Sequence, residues 1–156
     1  MIKNITLRNY RAFERYSLTE LKRVNLLVGK NNCGKTSVLE GIYFAGSRGD
    51  LRALKRIALS RGEVLAKRDE FEGYASGSHP LVTHFFHGHS FHDGSSFSIE
   101  PQGSLPPIRL TVQAPSEPTD SLFPDSLEQE MGSVYELALD GASSFCETLA
   151  KNIPVS

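Results

Sequence analysis

Val24-Asn25-Leu26-Leu27-Val28-Gly29-Lys30-Asn31-Asn32-Cys33-Gly34-Lys35-Thr36-Ser37-Val38-Leu39-Glu40 is the stretch on which the reading of this chain turns. Val24 to Val28 is a compact apolar run stopped by a glycine, which reads as a buried strand entering a loop. Gly29 to Thr36 fits G-x-x-x-x-G-K-[ST] without a mismatch. From Thr36 to Ala45, Val38, Leu39, Ile42 and Tyr43 recur at helical spacing. Gly41 weakens that helix slightly, and Gly46 is its expected stop. A strand before the glycine-rich loop and a helix after it are the context in which this motif binds phosphate.

The residue types carry the chemistry. Gly29 lets the chain turn out of the strand, and Gly34 lets the backbone approach phosphate oxygens. Successive N–H groups then converge as an anion nest, and the helix N-terminus adds its partial positive charge. Lys35 is placed to reach the β/γ-phosphates as a point charge, and the Thr36 hydroxyl to ligate Mg²⁺. The candidate nucleotide-binding residues are therefore Gly29, Lys30, Asn31, Asn32, Cys33, Gly34, Lys35, Thr36 and Ser37. Lys35 is also the catalytic candidate and Thr36 the metal ligand, with ATP and Mg²⁺ as cofactors. The guanine-reading N-K-x-D is not found, which favours ATP over GTP. Cys33 is expected to be alkylated more slowly when nucleotide covers the loop.

Outward from the loop, Ile2 to Leu7 alternates loosely and reads as a strand, Asn9 to Arg15 as a polar turn, and Ser17 to Leu21 as a second short strand. Asp50 is placed to cap a second helix running to Arg61, interrupted by Gly62. Residues 73–79 read as a Gly/Ser-rich loop. Leu81 to Phe86, Ser96 to Ile99 and Ile108 to Val112 read as strands of an antiparallel patch. Residues 113–126, with three prolines, read as a loop. Val134 to Leu139 reads as a last strand and Ser143 to Lys151 as a short helix. The expected division is 1–115 for the phosphate-binding lobe and its strands, and 116–156 for a loop-rich continuation.

Composition sets the outer bounds. With 39% hydrophobic and 22% charged residues over 156 positions, collagen-like and wholly disordered chains are excluded. No apolar run approaches a membrane span, and Lys3, Arg8, Arg11 and Arg15 break up any signal-peptide core. Cys33 and Cys146 make no disulfide framework, so a reducing cytoplasm is the expectation. The net charge of −1 hides an asymmetry: residues 1–75 hold 15 Lys/Arg against 8 Asp/Glu, and residues 76–156 hold 2 against 10. The first half is thus suited to an anionic partner, for which nucleotide phosphate suffices and DNA is a further candidate.

Residues 1–44, MIKNITLRNYRAFERYSLTELKRVNLLVGKNNCGKTSVLEGIYF, resemble the N-terminus of the ABC-class AAA-family ATPases of the RecF, SMC and OLD type. The "NYRAF" turn, "VNLLVGKNNCGKTSVLE" and the Leu39-Glu40 pair carry the resemblance, which thins after Pro115. It implies an α/β P-loop NTPase lobe with an adjoining antiparallel β-subdomain, and DNA repair or anti-phage defence as the setting. It also implies ATP held between two heads, so that an ATP-dependent homodimer or a partner subunit supplies the other half. Arg11, with Tyr10 and Phe13, is implied to lie near the nucleotide; the plain alternative is a turn packed on the core.

Such an ATPase needs a Walker B strand ending in acids and a signature segment facing the partner's nucleotide. Glu136-Leu-Ala-Leu-Asp140 is a poor Walker B, since Glu136 interrupts the apolar run and Gly141 follows. Leu59-Ser60-Arg61-Gly62-Glu63 imitates the signature but follows the loop too closely. The expectation is an N-terminal portion of a longer ATPase that binds nucleotide without efficient turnover; a non-hydrolysing regulatory module is the alternative. All five histidines lie between His79 and His92. They read as a half-exposed hairpin, with His87 and His89 on one face and His84 and His92 on the other, rather than as one metal site. Arg52, Lys55 and Arg56 make a basic helical face, either solvated or set against DNA phosphates.

Overall fold

Alternation at the start of the chain builds the first hairpin. The computed structural model describes residues 1–65, 79–113, 134–139 and 148–150. Strand β1 (Asn4–Tyr10) pairs antiparallel with β2 (Phe13–Leu18) across a two-residue turn, Arg11-Ala12, with Tyr10 opposite Phe13. Ile5 and Leu7 enter the core. The positive φ of Asn9 (50°) then resets the alternation, so that Tyr10 is buried next.

Helix α1 (Lys35–Gly46) follows the glycine-rich loop and buries Val38, Phe44 and Ala45. Gly41, which costs helix propensity, has a packing reason. A Cβ there would lie 2.8 Å from Leu7 Cδ2, so the glycine lets α1 rest directly on β1. Helix α2 (Leu51–Arg61) begins where expected: the Asp50 carboxylate accepts the Arg52 N–H at 2.9 Å. Gly62, at φ 69°, ends it in the left-handed conformation that helix C-termini favour. Leu51, Leu54, Ile57 and Ala58 face inward.

Beyond α2, β3 (Val64–Leu65) pairs with β4 (His79–Pro80), and two 3₁₀ turns follow at Val82–Phe85 and His87–His89. Strands β5 (Ser96–Gln102), β6 (Ile108–Gln113), β7 (Val134–Leu139) and β8 (Thr148–Ala150) complete a sheet of order β2-β1-β5-β6-β7-β8. Every neighbouring pair in it is antiparallel. The fold is thus α/β, an antiparallel sheet and two helices sharing one apolar core. Phe97 of β5 lies at its aromatic centre, with ring centroids 5.2 Å from Tyr10 and 5.3 Å from Phe86.

Several expectations are corrected. Val24 to Val28 joins no ladder among the described residues, and Val24, Leu26 and Val28 are 88%, 84% and 80% exposed. The run has strand-forming residues, but a buried strand needs neighbours to pair its backbone, and no described strand lies alongside. The second strand starts at Phe13, not Ser17, because Phe13, Tyr16 and Leu18 all reach apolar neighbours. Leu81 to Phe86 forms a 3₁₀ turn between single bridging residues, since Val82, Phe85 and Phe86 are all buried, a pattern no two-fold alternation provides. Thr148 to Ala150, placed in a helix by the sequence reading, pairs with β7 instead. Residues 73–78 and 114–133, Ser143 to Glu147, Cys146 and Asp140 lie outside the described residues.

Phe97→Ala is expected to destabilise the fold by about 3–5 kcal/mol, as large aromatic truncations in packed cores do. Urea unfolding followed by far-UV circular dichroism measures this; a loss below about 1 kcal/mol would show that the aromatic cluster is not the centre of the core.

Candidate phosphate-binding site

The loop from Gly29 closes on itself before α1 begins. A Cβ on Gly29 would lie 2.8 Å from Cys33 Sγ, so the small residue permits the closure. Gly34 sits at φ 88° as the residue preceding α1, and a Cβ there would meet the Phe13 ring at 2.3 Å. Phe13 stacks on Tyr16 with centroids 4.5 Å apart, so β2 presents an aromatic ledge against which the loop rests.

No side chain caps the N-terminus of α1, and its first turn holds no acidic residue. Its leading N–H groups and its dipole are therefore available to an anion. The Lys35 ammonium donates to the carbonyls of Gly29 at 2.9 Å and Lys30 at 2.6 Å, with Cys33 Sγ at 3.6 Å. A cavity of about 310 Å³ opens here, lined by Asn31, Asn32, Gly34, Lys35, Thr36 and Ser37, with Ala12 and Arg61 on the far wall. Among the described residues no carboxylate lines it. The set of uncapped amides, an ammonium, a guanidinium and a threonine hydroxyl fits phosphate oxygens and an Mg²⁺ ion between them.

The expected residues therefore come together as one loop and helix start, with Gly29 and Lys30 facing Lys35 and Cys33 exposed beside it. Arg11 is placed differently from a free phosphate ligand. Its side chain is 4% exposed, and its guanidinium donates to both Glu63 oxygens at 3.0 and 2.9 Å. It stacks over Phe85 at 4.6 Å. Its Nε lies 2.9 Å from Glu40 Oε2 without the N–H aimed at the oxygen, so that contact is ionic rather than a formed hydrogen bond. Burial opposes the Arg11 charge, but the hydrogen bond to Glu63 and the surrounding anions outweigh it and raise the pKa. Tyr10 lies in the core beneath, its phenol pushed upward by burial.

Arg61 was missed as a site residue. It read as part of a basic helix and of a signature-like segment, yet the packing of α2 carries it into the cavity wall, where its Nε donates to Glu40. Nothing in its local sequence signals this. The histidines also depart from the strand reading. The 3₁₀ turns bring His84 and His89 ring to ring, centroids 4.8 Å apart and edge-on, while His87 Nδ1 lies 3.1 Å from the Arg11 carbonyl oxygen. Among the described residues no cluster of three or more His, Cys, Asp or Glu is arranged for a metal ion. On α2, Arg52 pairs with Asp50 at 2.9 Å and Arg56 donates to the Tyr43 hydroxyl at 3.2 Å, both near solvent.

Residues 1–71 match the AAA ATPase domain family. The chain is similar to the DNA replication and repair protein RecF of several bacteria. It is 36% identical over 81 residues to that of Francisella tularensis subsp. mediasiatica, covering 51% of this chain and 22% of the relative. With that of Acholeplasma laidlawii it shares 47% identity over 47 residues, 30% of this chain and 14% of the relative. With that of Clostridium beijerinckii the identity is 44% over 43 residues, 28% and 12%. The family match thus falls on the part of the chain that holds residues 1–44, the glycine-rich loop and both helices. The chain spans less than a quarter of the length of these relatives. Among the described residues no helix is long and apolar enough to cross a membrane.

Two outcomes follow from the buried charges. Arg11→Ala leaves Arg61 as the one guanidinium among the described residues facing Glu40 and Glu63 and is expected to cost about 3 kcal/mol, the lower end for breaking a buried pair. Adding Glu40→Gln and Glu63→Gln to it should recover part of that loss in urea unfolding; no recovery would contradict the ion-pair account. Burial holds the His84 imidazole below the ordinary histidine value, against the pull of Glu63 and with smaller pushes from His89, Arg11 and Arg61. The unfolded chain then binds the proton more readily, so stability falls as pH drops through about 6.5. His84→Gln should flatten that slope in thermal melts between pH 7 and 5; an unchanged slope would refute it.

Proposed function

We propose that this chain binds Mg²⁺-ATP through Gly29–Ser37 as the nucleotide-binding N-terminal part of a RecF/SMC/OLD-like ATPase acting on DNA, in repair or phage defence. The observation that carries the reading is the uncapped start of α1, preceded by left-handed Gly34, beside Lys35 and Thr36 in a cavity without a carboxylate. Lys35 would bind the β/γ-phosphates, the loop amides would hold the α/β-phosphates, and Thr36 would ligate the metal. When bound, Mg²⁺ neutralises charge on the phosphate oxygens. Arg11 acts as a positioning residue, fixing the β1–β2 turn against α1 through Glu40 and against the segment after α2 through Glu63.

Turnover depends on a water-polarising acid after an apolar strand and on a signature segment, neither of which we find in this sequence. The exposed apolar residues Val24, Leu26 and Val28, with Leu39 and Tyr43 on the outer face of α1, support a further strand-bearing unit beside the loop, from a second head or partner. DNA contact through Arg52, Lys55 and Arg56 would be electrostatic and weaken with salt. One observation favours the second reading, a non-hydrolysing module in which nucleotide only orders the loop: among the described residues no acid lines the cavity to polarise water.

Titration of ATP and GTP, with and without Mg²⁺, against wild type and Lys35→Ala tests the reading. Lys35→Ala is expected to weaken ATP binding by at least about tenfold, the scale of a hydrogen bond to a charged group. Thr36→Ala should remove the Mg²⁺ dependence, and bound ATP should slow alkylation of Cys33. Equal affinity in wild type and Lys35→Ala would overturn nucleotide binding at this loop. Multiple-turnover hydrolysis that disappears in Lys35→Ala would overturn the dependence on outside segments.

A further inference from the structure

A second compartment, about 220 Å³ in volume, adjoins the phosphate-loop cavity and shares Ala12, Asn32, Ser37 and Arg61 with it. Its own walls are Arg11, Glu63, His84 and His89. It touches neither Lys35 nor Thr36, the groups suited to the β/γ-phosphates and the metal. It therefore continues from the loop at the end remote from the terminal phosphate. Its electrostatics also differ. The guanidinium charges of Arg11 and Arg61 are matched by the carboxylates of Glu40 and Glu63. The phosphate-loop cavity shares the paired Arg61 but adds Lys35, whose ammonium faces no carboxylate among the described residues.

We propose that this compartment receives the nucleoside half of the bound nucleotide, with the base against the imidazoles of His84 and His89. The inference rests on the phosphate-loop reading and deepens it. An uncharged base suits a wall whose charges cancel in pairs, while the phosphates suit the cavity where they do not. A neutral imidazole offers one donor and one acceptor, and its ring offers an aromatic face. The edge-on contact at 4.8 Å sets His84 and His89 at right angles, so that one ring can present its face where the other presents its edge. Burial keeps His84 in the neutral form such contacts need. The two rings come from consecutive 3₁₀ turns, which explains how residues well beyond the loop in sequence reach its ligand.

The test compares ATP with inorganic tripolyphosphate on the 156-residue chain, using wild type, His84→Ala/His89→Ala and Lys35→Ala. Wild type should bind ATP more tightly than tripolyphosphate. The double histidine variant should lose about tenfold in ATP affinity, one or two hydrogen bonds' worth, while keeping wild-type affinity for tripolyphosphate. Retained tripolyphosphate binding shows that the variant is folded. A second measurement needs no substitution. In proton NMR of wild type, ATP should move the ring signals of His84 and His89 and leave that of exposed His92 in place, and tripolyphosphate should move none of them. Unmoved His84 and His89 signals at saturating ATP, or unchanged ATP affinity in the double variant alongside a loss in Lys35→Ala, would overturn the nucleoside compartment and leave the phosphate loop standing. If Lys35→Ala binds both ligands as wild type does, the phosphate-loop reading falls and this inference with it.

Discussion

One buried guanidinium ties four parts of the chain together. Arg11 belongs to the β1–β2 turn, Glu40 to α1 and Glu63 to the segment after α2, and Phe85 comes from the first 3₁₀ turn. Charges this deep are costly to desolvate, and only a dense set of partners offsets that cost. The arrangement also holds Arg11 at φ 50°, a conformation that L-residues other than glycine seldom adopt. Its N–H donates to the Phe85 carbonyl at 2.9 Å, so the strain is fixed from the backbone as well as from the side chain. Glu40 and Glu63 both also face Arg61. The two guanidinium groups and two carboxylates therefore set the position of α1 relative to the sheet, and with it the direction in which the loop opens.

Packing along α1 works to the same end. Gly41 allows contact with Leu7, and Phe13 fills the space that a side chain at Gly34 would need. Ion pairs at Glu40 and close apolar contact at the neighbouring Gly41 leave the helix little freedom to slide. A phosphate site needs this, because its donors are backbone groups whose direction is that of the helix axis.

The loop and both helices were legible because their signals are local. The Asp50 cap and Gly62 act within a few residues of themselves, and the structure uses both as the sequence suggests; left-handed Gly34 just before α1 is likewise a local feature. The run Val24 to Val28 failed for the opposite reason. Its residues favour a strand, but a ladder is a property of two segments, and the partner is not among those described. Leu81 to Phe86 shows the same limit. Its apolar content reads as a strand, whereas the tertiary fold buries Val82 and Phe85 on one short 3₁₀ turn and Phe86 on the extended residue that follows it. Glu63, Arg61 and the His84–His89 pair were illegible because each acquires its role only when α2 folds back across the loop. The resemblance pointed correctly to the class, but it could not show that the Arg11 charge is already met by two carboxylates.

The ammonium of Lys35 is held by two carbonyl oxygens of its own loop. Under the proposed function, occupation of the site would be an exchange of ligands about a fixed cation rather than capture by a bare one. An incoming oxyanion displaces neutral dipoles, and the oxygens of Gly29 and Lys30 must turn to solvent. On the proposed reading, selectivity for multiply charged anions would follow, since a weak or neutral competitor gains too little to dislodge what the chain already supplies to itself.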